Sequence, residues 1–375
     1  MMKNVIIFGA ASQGSKLKKQ LEHTNEYDVR YFCDNNPGKW QESLNGIKII
    51  SIDDIKKLGI KGFNGIMILA VRNPWQVIDQ IQAIGGIHMP IYGVARGYMK
   101  QSNDINKMLY FIDIRKPYLD YLEYHISDHC NLKCRGCGHY SNIAVPRFGD
   151  LEKYIKDLER LKELFLGVKT IRLMGGEPLL NNKLPDFMSY TRDIFPGADI
   201  MVVTNGLLIP DIEEKVFGIM SRYSIRFDIS LYPPTERIKE RIELRCIENE
   251  VDYHFSEPIY EFYDCINYTG DSNKNIAHEK CESKGCHFLE DGKIAACCLP
   301  IVYKRQQRKL PWKMDIGEND IVDLYSEDLD GYKLKEILSK PMEMCRYCSD
   351  GTMRYFDWQG SYPYCEDLNS LKKEV

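Results

Sequence analysis

Short apolar runs and longer amphipathic stretches alternate along most of this chain. In its first part a helical stretch, Ser15–Glu22, lies among apolar runs at Asn4–Phe8, Val29–Cys33, Gly65–Val71 and Pro90–Val94. Strands that alternate with helices are typical of a parallel sheet covered by helices. The pattern therefore predicts an α/β domain over residues 1–107, which ends in the polar stretch Lys100–Lys107.

The alternation begins again after a bridging segment, Met108–Leu122. Five further strands are predicted, at Tyr121–Ile126, Thr170–Met174, Ile200–Thr204, Arg226–Leu231 and Val251–Phe255. Helical spacing predicts four helices, at Leu151–Phe165, Leu184–Phe195, Ile212–Tyr223 and Glu236–Glu248. This order predicts a partial (β/α)6 barrel over residues 108–265, and parallel barrels carry their chemistry at the C-terminal ends of the strands.

The first strand of the chain runs into a glycine-containing turn, Gly9–Gly14, and the second strand ends at Asp34. This order is that of a dinucleotide-binding unit. However, Ala11 stands where a second glycine would let the backbone approach a pyrophosphate, so bound NAD is the less favoured reading. The domain resembles the Rossmann-like domain that precedes many bacterial sugar-modifying enzymes, which implies binding of a nucleotide or sugar nucleotide, or a docking role.

Charge and hydrophobicity limit the cellular location and the binding partners that we expect for this protein. A formal net charge of -4 provides no general attraction to nucleic acid or to an anionic membrane. No apolar run approaches the ~20 residues of a membrane span, and the N-terminus enters a strand without a signal-peptide pattern. We therefore expect a cytoplasmic protein with neither nucleic-acid nor membrane partners.

Cysteines are the most informative residue type. The chain has 13 of them, and only Cys33 precedes Cys130. Because disulfides do not persist in a reducing compartment, a clustered set of this kind predicts metal ligands.

Three cysteines follow the first barrel strand directly, with C-x₃-C-x₂-C spacing: Cys130, Cys134 and Cys137. Three thiolates on one loop can hold three corners of a [4Fe–4S] cluster and leave the fourth iron open. A zinc site is the alternative, but zinc takes four ligands and usually pairs two C-x₂-C knuckles.

The triplet resembles the signature of the radical S-adenosylmethionine superfamily. The resemblance implies that S-adenosylmethionine chelates the open iron and is cleaved reductively to a 5′-deoxyadenosyl radical. After the second strand, Gly175, Gly176, Glu177 and Pro178 match the GGEP motif of the superfamily, which is implied to contact the methionine part of the cofactor.

Two further strand ends, at Asn205 and Ser230, are implied to contact the ribose or carboxylate of the cofactor. Many members of the superfamily carry an aromatic residue before the third cysteine, where this chain has Gly136. We therefore expect His139 or Tyr140 to make the adenine contact instead.

Residues 266–375 are rich in cysteine and similar to the auxiliary-cluster domains of the superfamily called SPASM or, when shortened, twitch. The resemblance implies a second [4Fe–4S] cluster on Cys281, Cys297, Cys345 and Cys348. Cys286 is a rival to Cys281, and only Cys365 follows the C-x₂-C pair, which favours the shortened form. A zinc ribbon on the same four thiolates remains open.

The resemblance implies an enzyme that takes an electron from a flavodoxin or ferredoxin and abstracts hydrogen from a small molecule. The Rossmann-like domain favours a carbohydrate substrate, either a sugar, an aminocyclitol or a sugar nucleotide. Oxidation and epimerisation both stay open, with Cys265 and Cys298 as candidate hydrogen donors. A ribosomal-peptide maturase and a non-catalytic iron–sulfur scaffold or electron carrier are the alternatives.

Overall fold

The computed structural model describes residues 2–40, 42–97, 104–351 and 353–360. Part of the predicted linker, residues 100–103, and Cys365 lie outside the described residues. The chain divides into two compact units, Met1–Pro117 and Tyr118–Val375.

The N-terminal unit has an α/β order of elements. They are β1 Lys3–Phe8, α1 Ser12–His23, β2 Tyr27–Cys33, β3 Ser43–Leu44, β4 Ile47–Ile50, α2 Ile52–Ile60, β5 Gly65–Leu69, α3 Trp75–Ile84, β6 Ile91–Val94, α4 Ile105–Met108 and β7 Leu109–Ile112. Helix α2 begins in a capping box, because the Ser51 side chain accepts from the Asp54 amide while the Asp54 carboxylate accepts from the Ser51 amide. Such a cap contributes about 1 kcal/mol.

These strands form one sheet in the order β3-β4-β2-β1-β5-β6-β7. The five inner strands are parallel and both edge strands are antiparallel, so the predicted Rossmann-like sheet is confirmed. The predicted boundary at residue 107 is ten residues too early, because Leu109–Ile112 pairs with Ile91–Val94 and so belongs to this sheet.

The C-terminal unit begins with the barrel-type elements. They are β8 Leu119–Ser127, α5 Leu151–Leu164, β9 Val168–Gly175, α6 Leu184–Ile194, β10 Asp199–Thr204, α7 Glu214–Tyr223, β11 Arg226–Ile229, α8 Pro233–Glu236, α9 Lys239–Glu248 and β12 Tyr253–Phe255. All five predicted strands and four predicted helices are present. The predicted fourth helix begins later, at Lys239, because a separate short helix, α8, precedes it.

The cysteine-rich part adds short elements. They are β13 Glu261–Asp264, α10 Lys274–Glu279, β14 Phe288–Glu290, β15 Lys293–Ala295, α11 Leu299–Gln306, β16 Val322–Asp323, α12 Gly331–Ser339 and β17 Arg354–Asp357. The main sheet has the order β12-β11-β10-β9-β8-β14-β15-β16, and β13 pairs with β17. Strands β8 to β12 are parallel, as predicted, but the sixth parallel strand is β14, which pairs with the outer edge of β8. The predicted domains 108–265 and 266–375 therefore share one sheet.

Alternate residues of the barrel strands face in opposite directions. Leu122, Tyr124 and Ile126 of β8 join the main hydrophobic core under helices α5 and α6. Glu123, His125 and Ser127 are also buried, but they face the concave side of the sheet, here called the lumen. Among the described residues, no helix is long and apolar enough to cross a membrane.

Candidate active site

The three-cysteine loop leaves β8 at Ser127 and has no regular secondary structure over residues 128–140. Burial, together with the neighbouring Cys137, raises the pKa of Cys130 to about 11 and that of Cys134 to about 12. The three thiols therefore share one neighbourhood in which a thiolate requires positive charge. Iron would supply that charge.

Nitrogen donors surround the sulfur atoms of this loop. The Leu132 amide lies 3.4 Å from Cys130 Sγ, and the Asn205 side-chain amide lies 3.6 Å from the same atom. The indole Nε1 of Trp358 donates to Cys134 Sγ at 3.3 Å. Hydrogen bonds to sulfur are among the contacts by which proteins tune iron–sulfur clusters. The residues present therefore fit a cluster on Cys130, Cys134 and Cys137.

Two glycines allow the end of β9 to pass against the cysteine loop. A Cβ on Gly175, whose φ is +129°, would lie 2.0 Å from the Ser127 carbonyl, and one on Gly176 would lie 2.2 Å from the His129 carbonyl. The Gly176 amide donates to the Ser127 carbonyl at 2.7 Å. Side chains at these positions would push the strand end away from the loop.

The next two motif residues tie β9 to β10. Glu177 is completely buried, and its carboxylate accepts from Leu179 N at 3.0 Å, Thr204 Oγ1 at 2.7 Å and Asn205 N at 2.9 Å. Burial raises the pKa of Glu177 to about 7, although these donors oppose the rise. Pro178 is buried and starts a short 3₁₀ turn. Glu177 thus positions Asn205 rather than facing solvent.

The predicted strand-end residues meet the same loop. The Asn205 side chain donates to Asn131 Oδ1 at 2.7 Å, and Ser230 N donates to the Thr204 carbonyl at 2.9 Å. Tyr232, which sequence reasoning missed, is half-buried, and burial together with Cys134 raises its pKa. The structure therefore brings the ends of β9, β10 and β11 together beside the cysteines, while their cofactor contacts stay a prediction.

His139 and Tyr140 have other partners than those expected. His139 Nδ1 lies 2.9 Å from His125 Nε2 in the lumen, and Tyr140 packs against the small hydrophobic cluster that contains Phe288. The adenine contact of these two residues stays a prediction. At Gly136, whose φ is +68°, a Cβ would lie 2.4 Å from the Phe356 ring instead. Phe356 comes from the C-terminal strand, so the spacing of the cysteine motif gave no signal for it.

A buried ionic network anchors the start of the loop, and sequence reasoning missed it. Asp128 binds Arg305 at 2.9 Å and Arg147 at 3.2 Å, and both arginines also bind Glu290. Arg305 Nη2 lies 3.2 Å from Nδ1 of His125. Burial lowers the pKa of His125 to about 3, so this imidazole is neutral at pH 7. The network links the loop to β14 and α11.

Four predicted auxiliary ligands lie in one region of the cysteine-rich part. Burial raises the pKa of Cys348, and four nearby thiols raise it further: Cys265, Cys297, Cys345 and Cys281. Cys265 lies in the same region, because its carbonyl accepts a hydrogen bond at 2.6 Å from the amide of Ser349, the residue after Cys348. Among the described residues, no three His, Cys, Asp or Glu side chains are close enough together to bind a single metal ion.

The rival ligand Cys286 belongs to the lumen. Burial is the main reason that the pKa of Cys286 is raised, and the negative charge of Glu123 is the second. Tyr121 and Arg172 also lie near this thiol. Cys298 is close to Glu123 as well, and burial raises its pKa well above the ordinary value. Cys281 is therefore better placed than Cys286 among the auxiliary thiols.

Polar side chains line the lumen in register. Glu123 pairs with Arg172 across β8 and β9, and Asp228 pairs with His254 across β11 and β12. Tyr121 donates to Glu123 at 2.6 Å, Arg172 binds Asp228 at 3.0 Å, and His254 lies 2.9 Å from Asp228. The lumen thus presents charged hydrogen-bonding groups below the cysteine loop.

Residues 124–251 match the family described as "Radical SAM superfamily". The chain is a radical S-adenosylmethionine enzyme. The match covers the cysteine loop, the GGEP motif and the ends of β10 and β11. Residues 1–85 match a second family, described as "C2185-like, N-terminal".

Curated relatives of the radical SAM enzyme include GTP 3′,8-cyclases. The protein of that name from Aliarcobacter butzleri is 24% identical over 68% of this chain and 84% of its own length. That from Petrotoga mobilis is 34% identical over 31% of this chain and 36% of its own length. Against several others the match spans only 32% to 47% of their length.

Among solved structures, BtrN in complex with AdoMet and 2-DOIA is 18% identical. The match covers 62% of this chain and 94% of BtrN, with a TM-score of 0.39.

Proposed function

We propose that this radical SAM enzyme abstracts hydrogen from a carbohydrate-type substrate bound in the lumen. Cys130, Cys134 and Cys137 would hold the reducing [4Fe–4S] cluster. When bound, that cluster and S-adenosylmethionine supply a 5′-deoxyadenosyl radical, which can break a C–H bond that acid–base chemistry leaves intact. The residues of the chain position the cofactor through Gly175–Pro178 and the strand ends at Asn205 and Ser230.

The polar row of the lumen carries the substrate proposal. Glu123, Arg172 and Asp228 lie on neighbouring strands and offer both acceptors and donors. Sugars and aminocyclitols present hydroxyl groups on successive carbons, which such a row can bind. Glu123 is buried and accepts from the Tyr121 hydroxyl, which leaves its carboxylate free to accept further hydrogen bonds from a hydroxyl or an ammonium group.

GTP is the second candidate substrate, because the curated relatives are named GTP 3′,8-cyclase. A triphosphate needs several cations to offset its charge. In the lumen, however, Arg172 is already paired with Asp228, and Arg226 lies 3.3 Å from Asp199. With Glu123 added, the row has more carboxylates than arginines. This charge balance favours a neutral or cationic substrate over GTP.

The substrate radical has two possible fates. Oxidation of a hydroxyl-bearing carbon releases one electron and one proton. Cys281, Cys297, Cys345 and Cys348 would hold an auxiliary [4Fe–4S] cluster that accepts the electron, and Glu123 is placed to accept the proton. Zinc at these thiolates would supply no such acceptor. We propose oxidation as the first choice.

Epimerisation is the second fate. Burial raises the pKa of the Cys298 thiol, so this group keeps the hydrogen that it would donate to the opposite face of the radical carbon. The resulting thiyl radical then needs one electron from a flavodoxin- or ferredoxin-type donor and one proton from solvent to return to the thiol. Cys298 lies nearer Glu123 and the cysteine loop, whereas Cys265 groups with the auxiliary thiols. Cys298 is therefore the better donor of the two predicted.

The N-terminal unit is proposed as a nucleotide- or sugar-nucleotide-binding-type domain or a docking domain. Its Asp34 carboxylate already accepts from Ala10 N at 3.0 Å and binds Lys39 at 2.8 Å. These contacts occupy the position at which the acid of a dinucleotide-binding unit would bind ribose, so NAD stays the less favoured ligand. A peptide maturase and a non-catalytic scaffold remain the other hypotheses.

The proposed function is tested with protein reconstituted anaerobically with iron and sulfide. The protein is incubated with S-adenosylmethionine, dithionite and one of four additions: a pool of sugar nucleotides, a pool of aminocyclitols, GTP or a peptide pool. We expect a carbohydrate pool to stimulate 5′-deoxyadenosine formation. This stimulation should be lost in Glu123→Gln and Arg172→Met, while background cleavage persists. Stimulation by GTP or peptides alone would overturn the carbohydrate proposal.

A further inference from the structure

The C-terminal strand of the described chain lies directly against the three-cysteine loop. Strand β17 pairs with β13, and the chain then continues along the loop, where the Arg135 amide donates to the Gln359 carbonyl at 2.8 Å. The Trp358 amide donates to the Tyr260 carbonyl at 2.8 Å. Backbone hydrogen bonds on both sides thus fix the position of Trp358.

The indole of Trp358 is held by two further contacts. Its ring stacks on Tyr232, with centroids 5.5 Å apart and an interplanar angle of 21°. Its Nε1 donates to Cys134 Sγ at 3.3 Å. Stacking limits rotation of the indole, so the N–H group stays directed at the sulfur.

Phe356, two residues before Trp358, also lies against the three-cysteine loop. Its ring occupies the space beside Gly136, and the Arg135 guanidinium lies 4.9 Å from the ring centroid. A side chain at position 136 would displace this ring. The glycine that departs from the superfamily pattern therefore matches an aromatic residue supplied by the C-terminal strand.

We propose that Trp358 is a positioning residue for the radical SAM cluster and raises its reduction potential through Cys134. Reduction adds negative charge to a cluster that thiolates already make negative. A hydrogen bond to a ligand sulfur stabilises the more negative, reduced form to a greater extent. Loss of the N–H donor therefore makes the cluster harder to reduce. This inference concerns the cluster alone and does not depend on the substrate proposed above.

The test measures reduction of the cluster without any substrate. A Cys281→Ala/Cys345→Ala background removes two proposed auxiliary ligands, so that the signal comes from the loop cluster. In that background Trp358→Phe retains an aromatic ring for stacking and removes only the N–H donor. Trp312→Phe is the matched control, because Trp312 is also half-buried and packs on Tyr268, while its Nε1 has no partner among the described residues.

Each variant is poised anaerobically at a series of potentials, and the reduced cluster is quantified by electron paramagnetic resonance. We expect Trp358→Phe to lower the ratio of reduced to oxidised cluster about three- to tenfold at a fixed potential. Tenfold corresponds to about 59 mV for one electron. Trp312→Phe should leave the ratio unchanged. An unchanged potential in Trp358→Phe, with iron content and thermal stability preserved, would overturn the proposal, as would an equal shift in the control.

Phe356→Leu is a second variant that keeps the test decisive if Trp358→Phe binds iron poorly. It leaves the indole in place but loosens the support beside Gly136. We expect a smaller shift in the same direction, whereas an unchanged or higher potential would count against a role for this strand.

Discussion

The side-chain amide of Asn205 lies 3.6 Å from the sulfur of Cys130. The backbone amide of the same asparagine donates to Glu177 at 2.9 Å. One residue at the end of β10 therefore connects the three-cysteine loop with the GGEP motif. A substitution in either motif should therefore shift the position of residues in the other.

The first prediction concerns the cysteine loop. Replacing Cys130, Cys134 or Cys137 with Ala should abolish reductive cleavage of S-adenosylmethionine, because two remaining thiolates cannot hold a site-differentiated cluster. The measurement is 5′-deoxyadenosine formed with dithionite under anaerobic conditions. Cys33→Ala, in the core of the N-terminal unit, is the control and should keep the activity. Undiminished cleavage by a loop variant would refute the assignment.

The second prediction concerns Glu177. In Glu177→Gln one carboxylate oxygen becomes an NH₂ group that faces a backbone or hydroxyl donor, so at least one buried donor loses its acceptor. A buried group without a hydrogen-bond partner typically costs about 1–3 kcal/mol. We therefore expect cleavage of S-adenosylmethionine to fall about tenfold or more. Glu163→Gln, at an exposed position, should have no effect. Equal activities of the two variants would contradict a positioning role for Glu177.

The third prediction concerns metal content. Two [4Fe–4S] clusters would give about eight irons per chain in the wild type. A triple Ala variant at Cys130, Cys134 and Cys137 should then keep about four irons, bound by the auxiliary thiolates. Iron and zinc are measured together by elemental analysis. Retention of zinc without iron would identify a zinc ribbon instead.

The fourth prediction separates oxidation from epimerisation once a substrate is found. Oxidation in deuterated water yields a product two mass units lighter. Epimerisation yields a product with one deuterium at an inverted carbon. We expect oxidation, with product formation largely retained in Cys298→Ala. Deuterium incorporation that disappears in Cys298→Ala but persists in Cys265→Ala would establish epimerisation with Cys298 as donor.

The fifth prediction concerns pH and His125. Burial lowers its pKa from 6.5 to about 3 in the folded chain, in a network where it faces His139, Asp128 and Arg305. The unfolded chain takes up a proton near pH 6.5 that the folded chain does not. Stability contributed by neutral His125 is therefore complete above pH 6.5 and declines below it, by up to about 1.4 kcal/mol per pH unit.

Urea unfolding of the apo protein at pH 7.5, 6.0 and 5.0 checks this prediction. His125→Gln should show a shallower loss of stability between pH 6.5 and 5.0 than the wild type. His88→Gln, at an exposed position of the N-terminal unit, should not alter the pH dependence. Parallel curves for the wild type and His125→Gln would contradict the prediction.

Local pattern was sufficient for much of this protein. Apolar runs located strands β8 to β12 within a few residues, because burial of one strand face requires that pattern. Spacing alone predicted Cys130, Cys134 and Cys137 as ligands, since ligands on one loop are also neighbours in sequence. The GGEP motif could also be recognised from the sequence. Its two glycines are needed because a Cβ at either position would clash with the backbone of the cysteine loop.

Tertiary structure decided the contacts between distant segments. The pairing of β14 with β8, the bond from Trp358 to Cys134 and the Phe356 ring beside Gly136 each join residues more than 150 positions apart. The sequence suggested His139 and Tyr140 for a cofactor contact because they follow the cysteines, and only the fold shows that His139 contacts His125 and that Tyr140 packs on the cluster around Phe288. The local sequence determines which residues can bind a cluster, whereas packing of remote segments determines what surrounds it, because such contacts leave no periodic pattern in the chain.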